Sequence, residues 1–139
     1  MLPQPRLARV TDQTVVATCG STKEELRARA LGQGRFVLTS IPFVCADVAL
    51  GDIVACVKVA QRWHVDRVEV RGGNSTLRIL PHGVDVASPL LQLGLAVEEG
   101  PAGVIAVNVG PDDPREGLME WLEQLREQEV VEVSPGYWA

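Results

Sequence analysis

Side chains that could bind a ligand are concentrated between positions 71 and 79, where the sequence reads Arg-Gly-Gly-Asn-Ser-Thr-Leu-Arg-Ile. Each guanidinium can bind a carboxylate through two parallel hydrogen bonds, while the hydroxyls and the amide can satisfy peptide groups. These residue types favour a surface that binds a carboxylate or an extended polypeptide backbone. The candidate ligand-binding residues are Arg71, Asn74, Thr76 and Arg78.

The same segment also has a purely structural interpretation. Its two glycines can form the tight turn of a β-hairpin between two predicted strands, Val65–Val70 and Ser75–Leu80, with both arginines exposed. Strand alternation places Thr76 and Arg78 on one face of the second strand and Ser75 on the other. At most one of the two hydroxyls therefore shares a face with Arg78.

A small cofactor-free enzyme, a cyclase or a hydrolase, is the alternative hypothesis. Its acid, base or nucleophile would be Asp52, His64 or Cys45, in a pocket between the two halves of the chain. The sequence has no nucleophile elbow, no P-loop and no dinucleotide-binding fingerprint. Its cysteines and histidines also lack the paired spacing of metal ligands. The sequence therefore favours a protein that is not an enzyme and needs no cofactor or metal.

Composition excludes several classes of partner. The net charge is -5, with 13 basic residues against 18 acidic ones, and only 4% of the residues are aromatic, so nucleic acid is not expected to bind. The longest apolar runs are far shorter than the roughly 18 residues of a membrane-spanning helix. Met1–Arg6 contains two prolines and does not resemble a signal peptide, so we expect a cytoplasmic protein. Three cysteines in such a protein are expected to be reduced thiols.

The first half of the chain, residues 1–70, has the pattern of a β protein. Glu24–Leu31 alternates apolar with charged residues, which predicts a strand although its composition favours a helix. Further strands are predicted at Gln13–Cys19, Arg35–Ser40 and Ile53–Val59. Short strands separated by turns predict a small, strongly bent β-barrel.

The second half, residues 71–139, has a different order of elements. Strand, helix, strand, strand, helix and strand follow one another, which is typical of a ferredoxin-like (split βαβ) sandwich. The helices are predicted at Asp85–Leu95 and after Asp113, which can cap the second helix with Pro114 at its first position. The apolar strand Val104–Val109 is predicted to be central. The sequence therefore predicts an α+β fold whose open sheet has free edges.

Two stretches of the sequence resemble a known family. The first runs from Glu24 to Phe36 and continues through Ser40–Phe43 and Leu50–Val54, and the second is Gly73–Arg78. The order and spacing of their Ile-Pro-Phe, Gly-Asp and Gly-x-x-Thr-x-Arg elements are similar to the bacterial domain-of-unknown-function family 4265. This resemblance covers most of the chain and implies an accessory protein of bacteria rich in secondary metabolism.

The leading functional hypothesis is a non-catalytic, peptide- or protein-binding accessory protein that captures an extended segment by sheet-edge pairing. Its expected setting is a bacterial peptide or secondary-metabolite biosynthetic pathway, and its expected partners are a peptide or protein segment and a second copy in a homodimer. Nucleic acid and membranes are not expected partners. A third hypothesis is a regulatory or immunity-type protein whose charge of -5 steers its partner.

Overall fold

Alternation of buried and exposed side chains organises the first half of the chain. The computed structural model describes residues 12–139, so Met1–Arg6, on which the expectation about a signal peptide rests, lies outside the described residues. Leu26 and Ala28 are buried while Arg27 is exposed, as the period of two predicts. The segment is a strand, because helical spacing would not place these two apolar side chains on one face.

Five strands form the first half: β1 (Gln13–Cys19), β2 (Thr22–Gly32), β3 (Arg35–Leu38), β4 (Ile53–Val59) and β5 (Arg62–Val70). They close into a barrel in sequence order, and a short parallel pairing of β1 with β5 completes it. The barrel interior is apolar, and the rings of Phe36 and Trp63 meet edge to face there at 5.3 Å between centroids. The prediction of a small barrel is confirmed.

The second half contains four strands and two helices: β6 (Ser75–Pro81), α1 (Ala87–Gln92), β7 (Ala96–Glu99), β8 (Ile105–Val109), α2 (Arg115–Glu127) and β9 (Val131–Pro135). The sheet has the order β7-β8-β6-β9, and all of its pairs are antiparallel. This is the ferredoxin-like arrangement that the element order predicts. The strand β8 is fully buried and lies inside the sheet, as its apolar sequence indicates.

The two faces of this sheet have different partners. Leu77 and Ile79 of β6 lie in one apolar core with Leu90 of α1 and with Leu118 and Leu122 of α2. Strand alternation directs Thr76 and Arg78 to the opposite face, where Arg78 contacts the first half of the chain. The contacting segment is the connection between β3 and β4, residues 39–52, which we call the 39–52 loop.

The structure corrects four details of the sequence-based predictions. The residues from Arg71 to Asn74 do not form a hairpin, because β5 belongs to the barrel and β6 to the second sheet. The helix α1 is shorter than predicted. Asp113 does not cap α2: its Oδ2 accepts the backbone N–H of Gly110 at 2.6 Å, and Pro114 takes the N-cap position.

The fourth correction concerns the cysteines. Cys19 and Cys45 form a disulfide, so the expectation of reduced thiols is wrong for this pair. Cys56 is free and half-buried. Among residues 12–139, no helix is both long and apolar enough to cross a membrane.

Candidate functional site

Arg71 lies at the junction between the barrel and the second sheet. Its Nη1 donates to the carbonyl of Asp47 at 2.7 Å and to Oδ2 of Asp52 at 3.0 Å. Its guanidinium also stacks over the ring of Tyr137, with Cζ 3.9 Å from the ring centroid. Arg71 therefore holds the 39–52 loop and the chain after β9 against each other.

Asp52 is the carboxylate beneath Arg71, and its side chain is fully buried. Its oxygens accept the backbone N–H groups of Ala49 at 3.0 Å and Gly72 at 2.9 Å in addition to Arg71. A buried carboxylate that is paired and satisfied in this way is a structural group. Its role is to fix the end of the 39–52 loop.

Asn74 and Thr76 are also used internally. The Asn74 amide donates to the carbonyl of Leu50 at 2.8 Å and accepts from the Asn108 side chain at 3.1 Å. Thr76 is fully buried, and its Oγ1, like Oδ1 of Asn108, has no hydrogen-bond partner in the part of the chain that the structure describes. The Asn74 side chain is therefore hydrogen-bonded within the protein through both its nitrogen and its oxygen, and the side chain of Thr76 is shielded from solvent.

Arg78 is half-buried, and its guanidinium faces the 39–52 loop. Nη2 donates to the carbonyl of Cys45 at 2.7 Å and Nε to that of Pro42 at 3.3 Å. Burial lowers the pKa of Arg78, and the negative charge of Glu24 partly opposes this shift. Unlike the other three candidate residues, Arg78 also lines a cavity beside the edge strand β9.

Two carboxylates hold the 39–52 loop, a role that sequence reasoning missed. Glu24 accepts the backbone N–H groups of Phe43 and Cys45, at 2.6 Å and 2.9 Å. Glu98 of β7 accepts the backbone N–H of Ile41 at 2.5 Å and also forms an ion pair with Arg27. Since their partners are backbone amides far away in sequence, no motif could reveal these contacts.

The residues of the enzyme hypothesis do not converge. Cys45 is bonded to Cys19 and Asp52 to Arg71, so neither is a free nucleophile or base. His64 pairs with Val57 of β4. At a rise of roughly 3.3 Å per residue, about 13 Å of strand separates Val57 from Ile53, the residue that follows Asp52. These contacts do not form an acid, base and nucleophile constellation.

The remaining thiol and the metal-ligating residues provide no alternative site. Burial, and secondarily the charge of Asp66, raises the pKa of the Cys56 thiol to about 11, so this thiol is protonated near neutral pH and unreactive. No group of three or more His, Cys, Asp or Glu side chains within residues 12–139 is arranged to hold a metal ion.

The outer edge of β9 offers unpaired backbone groups. On its inner side β9 pairs with β6, and the N–H of His82 donates to the carbonyl of Val130 at 2.8 Å. Hydrogen-bonded positions alternate along an antiparallel pair, so the N–H and C=O of Val131 and Val133 point away from β6. No strand of residues 12–139 pairs with this side of β9.

Residues of β9 line two cavities. One, of about 400 Å³, lies toward the end of α2 and is lined by His82, Arg126, Glu129, Val131, Glu132 and Val133. The other, of about 350 Å³, is lined by Arg78, Ile79, Leu80, Val104, Glu132, Val133 and Ser134. The sequence predicted the strand β9 but not its position at the edge of the sheet. Pro135 could have indicated that position, because proline lacks an N–H and is found on edge strands.

Comparison with solved structures supports the fold. The chain is similar to a protein whose structure is described as a novel crystal structure of a hypothetical protein from Neisseria gonorrhoeae, with a TM-score of 0.81 and 18% sequence identity. The similarity covers 91% of this chain and 95% of that one. No curated protein matches the chain. The family model named Domain of unknown function (DUF4265) matches residues 24–133, and the chain therefore belongs to this family.

Proposed function

We propose that this protein is a non-catalytic binding protein that captures an extended polypeptide segment on the outer edge of β9. The observation that carries the proposal is the pair of outward-facing peptide groups at Val131 and Val133, on a strand whose residues also line two cavities. An added strand would satisfy these groups through backbone hydrogen bonds. Its alternating side chains could then enter the two cavities.

The candidate residues of the sequence analysis have a different part in this proposal. Arg71 and Asn74 stabilise the junction between the two halves, because their hydrogen bonds are with the protein itself, and Thr76 is buried. The central strand β6 cannot accept an added strand, since β8 and β9 occupy both of its sides. The sheet has two edge strands, β7 and β9, and β9 is the one that pairs with β6, so a segment captured on β9 would lie within reach of Arg78.

A proline at position 133 tests this proposal. Val133→Pro removes an N–H that points away from β6, so the hydrogen bonds inside the sheet remain. We expect linear peptides selected from a phage-displayed library on the wild-type protein to bind this variant at least about tenfold more weakly, since one hydrogen bond is lost and the ring obstructs the added strand. Affinity is measured by calorimetry.

Two variants serve as controls. Val133→Ala removes most of the same side chain but keeps the N–H, and Glu99→Pro places proline at an outward-facing position of the opposite edge strand β7. Both should bind the selected peptides nearly as well as the wild type. Equal affinity for Val133→Pro, or failure to select any linear peptide, would contradict the proposal. Concentration-dependent self-association that Val133→Pro abolishes would instead identify a second copy as the occupant.

A further inference from the structure

We propose that Arg78 selects the captured segment, by binding a carboxylate of the residue that lies opposite Ser134. This inference rests on the proposed function and specifies the chemistry of its ligand. It predicts an extended segment with a glutamate or aspartate at one position of the strand. It also predicts that the neighbouring position on the same face does not accept an acid.

The first step is the electrostatic state of Arg78. The guanidinium is half-buried, and its hydrogen-bond acceptors are the neutral carbonyls of Pro42 and Cys45. None of the ion pairs found in residues 12–139 includes Arg78. The nearby carboxylate of Glu24 is occupied by three backbone N–H groups. Because partly buried charges in proteins are usually paired, Arg78 is a cation that a ligand carboxylate would complement.

The second step is access from the edge of the sheet. Arg78 is the register partner of Ser134, the small residue that separates it from the outer edge of β9. A Cβ added to Gly136 would lie 3.1 Å from Nη2 of Arg78 and 2.9 Å from Cβ of Thr76, so the guanidinium packs directly against the chain at the end of β9 and reaches the level of that strand. An added strand would place a side chain next to Ser134, on the face of the sheet that Arg78 occupies.

The third step concerns the neighbouring position. Glu132 is two residues from Ser134 on the same face, and its side chain is 69% exposed. Its Oε2 is 2.8 Å from Nε2 of His82. A ligand acid opposite Glu132 would be repelled, whereas a basic or neutral side chain would be accepted there. Arg78 and Glu132 together therefore fix the register of the captured segment.

A peptide pair tests the inference on the unaltered protein. The first peptide is a linear peptide selected from the phage-displayed library. The second is a synthetic copy of it in which the acidic residue is replaced by the corresponding amide. We expect acidic residues to be enriched at one position of the selected peptides. The amide peptide should bind the wild-type protein at least about tenfold more weakly, as measured by calorimetry, a loss that corresponds to one charged hydrogen-bonded pair.

Arg78→Gln completes a double-mutant cycle. On this variant the acid and amide peptides should bind within about twofold of each other, because the partner of the carboxylate is absent. Selected peptides without an acidic preference, or the same acid-to-amide loss on Arg78→Gln, would overturn the inference. Val133→Pro separates it from the proposed function, since that variant should weaken both peptides equally. If Arg78→Gln does not fold, the peptide pair on the wild-type protein and the selected sequences still decide the question.

Discussion

At the scale of single residues, Asp52 shows how one carboxylate can organise a junction. The residue follows a glycine in a turn, and the turn explains its position in the sequence without any function. In the structure its two oxygens accept hydrogen bonds from Arg71 and from two backbone N–H groups. One of these N–H groups belongs to Gly72, in the connection to the second sheet. The residue that resembled a catalytic acid is therefore a link between the two halves.

Replacing Asp52 by alanine should destabilise the protein. The change leaves the N–H groups of Ala49 and Gly72 without their acceptor, and each such loss costs about 1–3 kcal/mol, so we expect about 2–6 kcal/mol in total. Urea denaturation measures the free energy of unfolding. Asp47→Ala is the matched control, because the hydrogen bond to Arg71 uses only the backbone carbonyl of Asp47. Equal stability of the two variants would contradict the structural role of Asp52.

At the scale of elements, α2 illustrates which helix signals are reliable. Its apolar face agrees with the helical period of the sequence, since Leu118 and Leu122 are both buried against the sheet. The predicted cap is wrong, because the Asp113 carboxylate bonds outside the helix, to the N–H of Gly110. The helical period depends on several apolar residues along one face of the helix. A cap depends on one side chain, which can form its hydrogen bond with another group instead.

Gly117 offers a direct test of α2. The residue is exposed, and a Cβ added there would meet no atom within 4 Å. Gly117→Ala should stabilise the protein by about 0.5–1 kcal/mol, because alanine restricts the unfolded chain and favours the helix. The midpoint of thermal unfolding, followed by circular dichroism, should rise. A lower midpoint would show that this turn of α2 is not helical.

At the scale of the whole molecule, the 39–52 loop joins the two halves. Glu24 and the disulfide of Cys45 attach it to the barrel, while Arg78 and Glu98 attach it to the second sheet. Gly51 at the end of this loop lies directly against Gly72. The halves are therefore connected by polar contacts and by a close backbone approach as well as by the polypeptide from Val70 to Ser75.

Gly72→Ala tests that close approach. The added Cβ would lie 2.7 Å from the carbonyl carbon and oxygen of Gly51, so the backbones must separate. We expect a loss of about 1–3 kcal/mol, typical of overpacking, in the free energy of unfolding. Hydrogen exchange in the 39–52 loop should accelerate at the same time. Gly117→Ala is the comparison, since the same substitution there should act in the opposite direction. Unchanged stability would mean that the two backbones do not touch.

Most of the strands and helices and the class of fold could be predicted from the sequence. Leu26 and Ala28 alternate with charged residues, and this period of two indicated a strand in spite of a composition that favours a helix. The apolar run in β8 indicated a strand inside the sheet. Such patterns can be read within about ten residues, because side-chain direction repeats every 2 residues in a strand and every 3.6 in a helix.

Which polar groups meet depends on how distant segments of the chain pack together. Asp52 and Arg71 are 19 residues apart, and Cys19 and Cys45 are 26 apart. The position of β9 at an edge likewise depends on the order of strands in the sheet. Arg71, Asn74, Thr76 and Arg78 lie close enough in sequence to suggest one site, yet Arg71 and Asn74 are hydrogen-bonded within the protein and Thr76 is buried. Local patterns specify the direction of each side chain, but its partner is set by how distant segments pack, and no short stretch of sequence contains both members of such a pair.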